Sequence, residues 1–161
     1  MERRDKINYY LDIAEAVCER STCLRRCFGA IIVKNDEIIS TGYNGAPRGR
    51  KNCCDVGCVR EKLSIPRGER YELCRSVHAE ANAIISAARS DMIGATIFLA
   101  CHDAKTGKLI GSVEPCSMCK RTVLNAGIEK VIVRETRDEY RVIYVQEWID
   151  NDESIFGRDT Y

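Results

Sequence analysis

Apolar residues recur at helical spacing near the start of the chain. Ile7, Tyr10, Leu11, Ala14 and Val17 share one face, with Asp12, Glu15 and Glu19 between them. The pattern predicts an amphipathic helix over Ile7 to Arg20, of the kind that covers one face of a sheet. The period then changes. Ala30-Ile31-Ile32-Val33 is a short apolar run that fits a buried strand, and Ile38-Ile39-Ser40-Thr41-Gly42 fits a second. The polar Lys34-Asn35-Asp36-Glu37 between them predicts a four-residue hairpin connection. Tyr43-Asn44-Gly45-Ala46-Pro47 ends the second strand with turn residues. From Arg48 to Arg75 no period holds, and a connection of that length is usually functional. Helix formers return from His78 to Ser90. A strand follows at Ala95 to Ala100, then a turn at Lys105-Thr106-Gly107-Lys108. Pro115 opens a helix at its first position, running to about Asn125 with Gly127 as its cap. Lys130 to Arg134 and Tyr140 to Val145 predict two more strands, and Gln146 to Asp152 a short helix.

Helices alternating with strands predict an α/β fold with helices on the faces of a sheet. The strand–helix–strand passage from 95 to 134 needs a crossover, so at least one strand pair is parallel and the sheet is mixed. No repeat or linker divides the chain, and one domain over 1–161 is expected, with a Cys-rich insertion at about 48–75.

Composition narrows the functional classes. The chain has 161 residues, is 45% hydrophobic, and carries a net charge of +1. That balance gives no electrostatic footprint for nucleic acid or an anionic membrane. No apolar run reaches the roughly 18 residues of a membrane span. Met1-Glu2-Arg3-Arg4-Asp5-Lys6 leads into no apolar segment, so no signal peptide is read and a cytoplasmic location is expected. Ten cysteines are many for this length. In such a compartment they point to metal rather than to disulfides.

The chemistry gathers in two short motifs. His78-Ala79-Glu80 opens one predicted helix, and Pro115-Cys116-Ser117-Met118-Cys119 opens another. One imidazole and two thiolates make a three-ligand zinc site, which leaves the fourth tetrahedral position open for chemistry and lowers the pKa of a water placed there. Cysteines in a first helical turn are favoured as thiolates by the free N–H groups. Glu80 is not needed as a ligand, and beside the open position it can carry a proton. Either motif alone is weak. A C-x-x-C can be redox-active or belong to a closed zinc site, and a lone H-x-E is often accidental. Together they form the signature of zinc nucleobase deaminases.

Beyond those motifs the chain resembles the deoxycytidylate (dCMP) deaminases of the cytidine deaminase superfamily. The matching stretches are Thr22 to Arg26, Gly29 to Val33, Ile39 to Pro47, the His78 helix and Cys116 to Ile128, within roughly residues 7 to 134. The resemblance implies a three-layer α/β/α fold around a five-stranded sheet. It implies hydrolysis of dCMP to dUMP and ammonia, with Glu80 catalytic and His78, Cys116 and Cys119 holding zinc. It also implies substrate contacts at Asn44 (sugar), Arg26 (phosphate) and Ala79. From the residues alone, Asn44-Gly45 is a common turn pair and Arg26 an ordinary surface or ion-paired arginine. A homo-oligomer, dimer or hexamer, is implied, as is control by dCTP and dTTP with Mg²⁺ near Gly42-Tyr43-Asn44-Gly45. A second, structural zinc is implied at Cys23 and Cys53, completed by Cys58 and Cys74, with Cys54 as a substitute for Cys53. Buried free thiols are the alternative reading of these cysteines.

Two stretches depart from the family pattern. Cys101 to Glu114 intervenes between the third strand and the P-C-x-x-C and is expected beside the pocket mouth, where it bears on specificity. His102 is read as a loop residue within it. The tail from Tyr140, with Trp148, does not align. The competing functions are deamination of another base, nucleoside or nucleotide, and a non-catalytic zinc-stabilised nucleotide-binding or DNA-uptake accessory protein. An intact Glu80 argues against the second, because a purely structural site has no use for an unligated carboxylate.

Overall fold

The computed structural model describes residues 1–157. In chain order the elements are α1 (Lys6–Cys18), β1 (Arg26–Lys34), β2 (Glu37–Tyr43), α2 (Cys53–Val56), α3 (Val59–Lys62), α4 (Ala79–Ile85), α5 (Arg89–Met92), β3 (Thr96–Asp103), α6 (Ser117–Ala126), β4 (Lys130–Arg134), β5 (Tyr140–Tyr144) and α7 (Gln146–Asp150). Single 3₁₀ turns occupy Tyr71–Leu73 and Glu153–Phe156. The five strands form one sheet in the order β2-β1-β3-β4-β5. Only β3 and β4 are parallel, joined across α6, and the other three pairs are antiparallel. The expected mixed sheet is therefore present.

Strand alternation divides the core in two. Ala30, Ile32, Ile97, Leu99 and Cys101 face α4 and α6, where they pack with Ala79, Ala83 and Val123. Ile31, Val33, Phe98 and Ala100 face the other way and cover Tyr10, Leu11, Ala14 and Cys18 of α1. Each fully buried aliphatic side chain contributes roughly 1.5–3 kcal/mol. Two glycines set how close the layers come. A Cβ on Gly29 would lie 2.1 Å from the Ala14 carbonyl oxygen, and one on Gly42 would lie 2.3 Å from the Ala83 nitrogen. Backbone contact at both faces thus requires the absence of a side chain.

Several sequence expectations are corrected. The β1–β2 connection is two residues, not four. Asn35 and Asp36 take φ of 51° and 63°, a left-handed pair that both side chains tolerate and that matches the twist of a hairpin. The helix expected from His78 to Ser90 ends at Ile85. Ala88 is extended and starts α5, and this break turns Met92 into the core. Strand β3 runs three residues beyond Ala100. His102 is therefore a strand residue, paired with Cys27, and its Nε2 lies 3.0 Å from a Glu15 carboxylate oxygen on α1. Pro115 is not the first helical residue. Cys116 is the N-cap of α6 and Pro115 precedes it. Gly127 caps the other end with φ of 81°, as expected.

The Cys101–Glu114 excursion folds back on β3 through Ile110 N–H to the Cys101 carbonyl at 2.8 Å. Its return is pinned to the far edge of the sheet. The Ser112 N–H donates to a Glu135 carboxylate oxygen at 2.8 Å, and Arg141 donates to the Val113 carbonyl at 2.6 Å and to Glu114 at 3.0 Å.

Arg134, fully buried at the end of β4, ties α1 to the sheet. Its guanidinium donates to Asp12 at 2.7 Å, to Glu15, and to the backbone and side-chain oxygens of Asn8 at 3.1 and 3.0 Å. Deleting one member of such a network strands the others, with a cost of about 3 kcal/mol. Arg134→Leu is expected to lower the unfolding free energy by that amount in urea titrations. A loss below about 1 kcal/mol would mean that apolar packing alone holds α1.

Candidate active site

Both motifs stand at helix starts on one end of the sheet. His78 is the N-cap of α4 and Cys116 the N-cap of α6, each with extended backbone and neither using its side chain to cap. Those side chains turn instead toward each other. The His78 Nδ1 lies 3.4 Å from the Cys116 sulfur and 3.4 Å from the Cys119 sulfur. Cys119 is the third residue of α6, one turn on from Cys116. Hydrogen bonds to β2 and the turn after it anchor α4 and the residue before its N-cap. Val77 and Gly45 exchange N–H to carbonyl bonds at 2.8 and 3.2 Å. The Ser40 hydroxyl donates to the Ala83 carbonyl at 2.7 Å, and the Asn82 amide to the Tyr43 carbonyl at 2.7 Å.

The three ligand atoms lie within 4.8 Å of one another, and among the described residues no other group of three does so. Zinc–sulfur bonds of about 2.3 Å and a zinc–nitrogen bond of about 2.0–2.1 Å, meeting near the tetrahedral angle, place nitrogen and sulfur about 3.5 Å apart. The donor set and its spacing fit the ion.

Glu80 is buried in the first turn of α4. Burial pushes its carboxyl upward, against the pull of the His78 charge and of a hydrogen bond from Cys119. Burial also opposes charge on His78, but hydrogen bonds with Cys116 and Cys74 and the field of Glu80 outweigh it and push the imidazole up to about 10. The two cysteines divide one proton. The hydrogen bond from Cys119 holds Cys116 down at about 4, helped by His78. The same bond, burial and the Glu80 carboxylate push Cys119 up. The site therefore presents a thiolate, an imidazole and a buried carboxyl to one point.

A cavity of about 500 Å³ opens above them, reaching His78, Glu80 and Cys116. Ser112 to Glu114 of the excursion line it, followed by Pro115, so the end of the excursion forms part of the cavity wall. Asn44 and Arg26 line it as well. The Asn44 side chain accepts from the Phe28 N–H at 2.8 Å and from the Ser21 hydroxyl at 2.6 Å, and donates to the Arg26 carbonyl at 2.8 Å. One amide N–H remains for a ligand. Ala79 is buried in the core, and it is not in the cavity wall. Only its backbone N–H, in the first turn of α4, is left to offer.

Cys23, Cys53, Cys58 and Cys74 all line this cavity. Cys23 and Cys74 are close enough to Cys53 to raise its pKa, after burial. The four sulfurs are nevertheless not within one coordination sphere. Cys54 is exposed. The Cys-rich segment instead brings two residues with no sequence signal. Tyr71 packs edge-on against His78 with ring centroids 5.7 Å apart, and the Arg60 guanidinium lies 4.2 Å from the centre of the Tyr71 ring. Nothing in an aperiodic stretch marks either of them in advance.

Residues 4–135 match the model of the cytidine and deoxycytidylate deaminase zinc-binding region. A deoxycytidylate deaminase of Mycobacterium phage D29 is 38% identical over 82% of this chain and 96% of its own. One from Schizosaccharomyces pombe is 32% identical over 78% of this chain, which spans only 35% of that relative. Among solved structures, the dCMP deaminase of cyanophage S-TIM5 in complex with dCMP and dUMP superposes with a TM-score of 0.58 at 30% identity, over 92% of this chain and 91% of its own. With the His78, Cys116 and Cys119 cluster inside the matched span, the chain belongs to the cytidine and deoxycytidylate deaminase zinc-binding family.

Proposed function

We propose that the chain catalyses hydrolysis of dCMP to dUMP and ammonia. The observation that carries this is Glu80, a buried carboxyl that is not among the clustered ligand atoms yet faces the same cavity as His78 and Cys116. The deoxycytidylate deaminases to which the chain is similar, one of them solved with dCMP and dUMP, support the choice of substrate. Residues 1–161 act in this reading as one domain, with the insertion at 48–75 walling the cavity.

His78, Cys116 and Cys119 would hold zinc, which when bound supplies acidity to a water and stabilises developing negative charge. Glu80 takes the proton of the attacking water as oxygen adds to C4 of cytosine, and hands it to N3. It then takes the proton remaining on the oxygen bonded to C4 and delivers it to the amine, so that the C4–N bond breaks, ammonia leaves and the C4 carbonyl forms. A raised carboxyl pKa suits both the accepting and the donating step. The Asn44 amide N–H is directed to the sugar, Arg26 to the phosphate end, and the Ala79 N–H to the base.

Glu80→Gln is expected to retain zinc and to lose at least about 100-fold in kcat, the usual contribution of a positioned acid–base group. The assay is ammonia release from dCMP beside zinc analysis of the same sample, and a variant as fast as the parent would reject the role. A zinc chelator is expected to abolish turnover and added zinc to restore it, whereas magnesium alone would not.

The reading includes a second, structural zinc drawn in by Cys23, Cys53, Cys58 and Cys74, which would close the Cys-rich segment. Two zinc ions per chain are expected in metal analysis of purified protein, and a ratio of one would remove this part. It also includes a homo-oligomer regulated by dCTP and dTTP with Mg²⁺. Turnover unaffected by either nucleotide would remove the regulation.

A further inference from the structure

Arg60 is a buried cation within the Cys-rich segment. Its Nη2 donates to the Pro66 and Glu69 carbonyls at 3.2 and 2.7 Å, and its Nε has no hydrogen-bond partner among the described residues. A buried charge needs compensation, and the face of an aromatic ring supplies part of it here. The guanidinium lies 4.2 Å from the centre of the Tyr71 ring. Tyr71 is also set by the backbone before it. Arg70 takes φ of 52°, a left-handed conformation that is costly without glycine and persists where the surroundings impose it. The Tyr71 ring then stands at 86° to the imidazole of His78, with centroids 5.7 Å apart. His78 makes no side-chain bond to its own helix. Its Nδ1 faces the Cys116 and Cys119 sulfurs, each at 3.4 Å.

We infer that Arg60 and Tyr71 are positioning residues for the metal centre: Arg60 steadies the Tyr71 ring, and that ring locks the plane of the His78 imidazole with Nδ1 already turned to the two sulfurs. A ligand ring that is free to turn must be ordered when it takes an ion, and that ordering weakens binding. A ring held in advance avoids the cost. Outer contacts to a ligating histidine are commonly hydrogen bonds to carboxylates or carbonyls. Here a perpendicular aromatic contact, a favoured geometry for ring pairs, does the orienting, and a buried cation backs it. The Cys-rich segment thus tunes the catalytic ion's site by packing against one of its ligands. This inference rests on the metal centre of the deaminase reading above, and the experiment separates the two.

The measurement is the zinc affinity of metal-free protein, by competition with a chromophoric chelator, beside the visible spectrum of the Co²⁺-loaded form. It compares the parent, Tyr71→Leu, Tyr71→Phe, Arg60→Met and a variant carrying both Tyr71→Leu and Arg60→Met. Subtracting the signal of Cys116→Ser, which lacks one ligand, isolates the His78 site. Tyr71→Leu is expected to weaken zinc binding there about tenfold to a hundredfold, the range of a lost outer contact to a metal ligand, and to shift the cobalt bands. Tyr71→Phe keeps the ring and is expected to match the parent. Arg60→Met is expected to weaken binding alone and to add nothing to Tyr71→Leu, because it acts through the ring. Parent-like affinity and spectrum in Tyr71→Leu would overturn the inference, as would a Phe variant as weak as the Leu one. Additive effects would remove Arg60 from it. Circular dichroism identifies a variant that fails to fold. Tyr71 is half-buried and outside the sheet, so the two Tyr71 variants decide if Arg60→Met is lost. A parent whose signal equals that of Cys116→Ser holds no ion at His78, and the metal centre fails together with its brace. A parent that binds the ion and is matched by Tyr71→Leu rejects the brace alone and leaves the deaminase reading standing.

Discussion

A side chain on Gly42 would place its Cβ 2.3 Å from the Ala83 nitrogen and 2.4 Å from the Ala79 carbonyl oxygen. Helix α4 therefore lies directly on the backbone of β2, and the rest of the site follows from that distance. Ser40 and Asn82 close the remaining polar gaps between helix and strand. With α4 fixed at this depth, His78 emerges level with the start of α6, and Glu80 comes to lie beneath the cavity rather than on the surface. Raising the helix by the width of a methyl group would separate the imidazole from both sulfurs, since the three ligand atoms have little slack at 3.4 Å.

The parallel β3–β4 pair supplies the second half of the arrangement. A crossover returns the chain along the sheet, so α6 begins near the end of β3, and the Cys101–Glu114 excursion delivers it there. Glu135 and Arg141 hold that delivery in place from the far edge. The metal centre is thus fixed by backbone proximity on the α4 side and by ion pairs on the α6 side.

The strand and helix periods, the paired motifs and Gly127 were all readable from residue order, because each is a local pattern. His78, Glu80, Cys116 and Cys119 were readable for the same reason. What could not be read depends on contacts remote in sequence. The break at Ala88 exists so that Met92 can enter the core. His102 stays in β3 because Glu15 of α1 meets it from the other layer. Arg60 and Tyr71 lie in a segment built from four-residue helices, too short to leave a periodic trace. Cys23, outside the insertion, joins Cys53, Cys58 and Cys74 of the insertion in one cavity wall, a meeting that depends on tertiary contacts and not on residue order.

The tight Asn35–Asp36 turn lies at the end of the sheet opposite His78, where Lys6 reaches Asp36 at 3.0 Å. The molecule therefore has a working end and a plain end. A tether or fused domain joined at that turn would project away from the cavity mouth, so the protein offers a natural handle for surface attachment with its pocket facing outward.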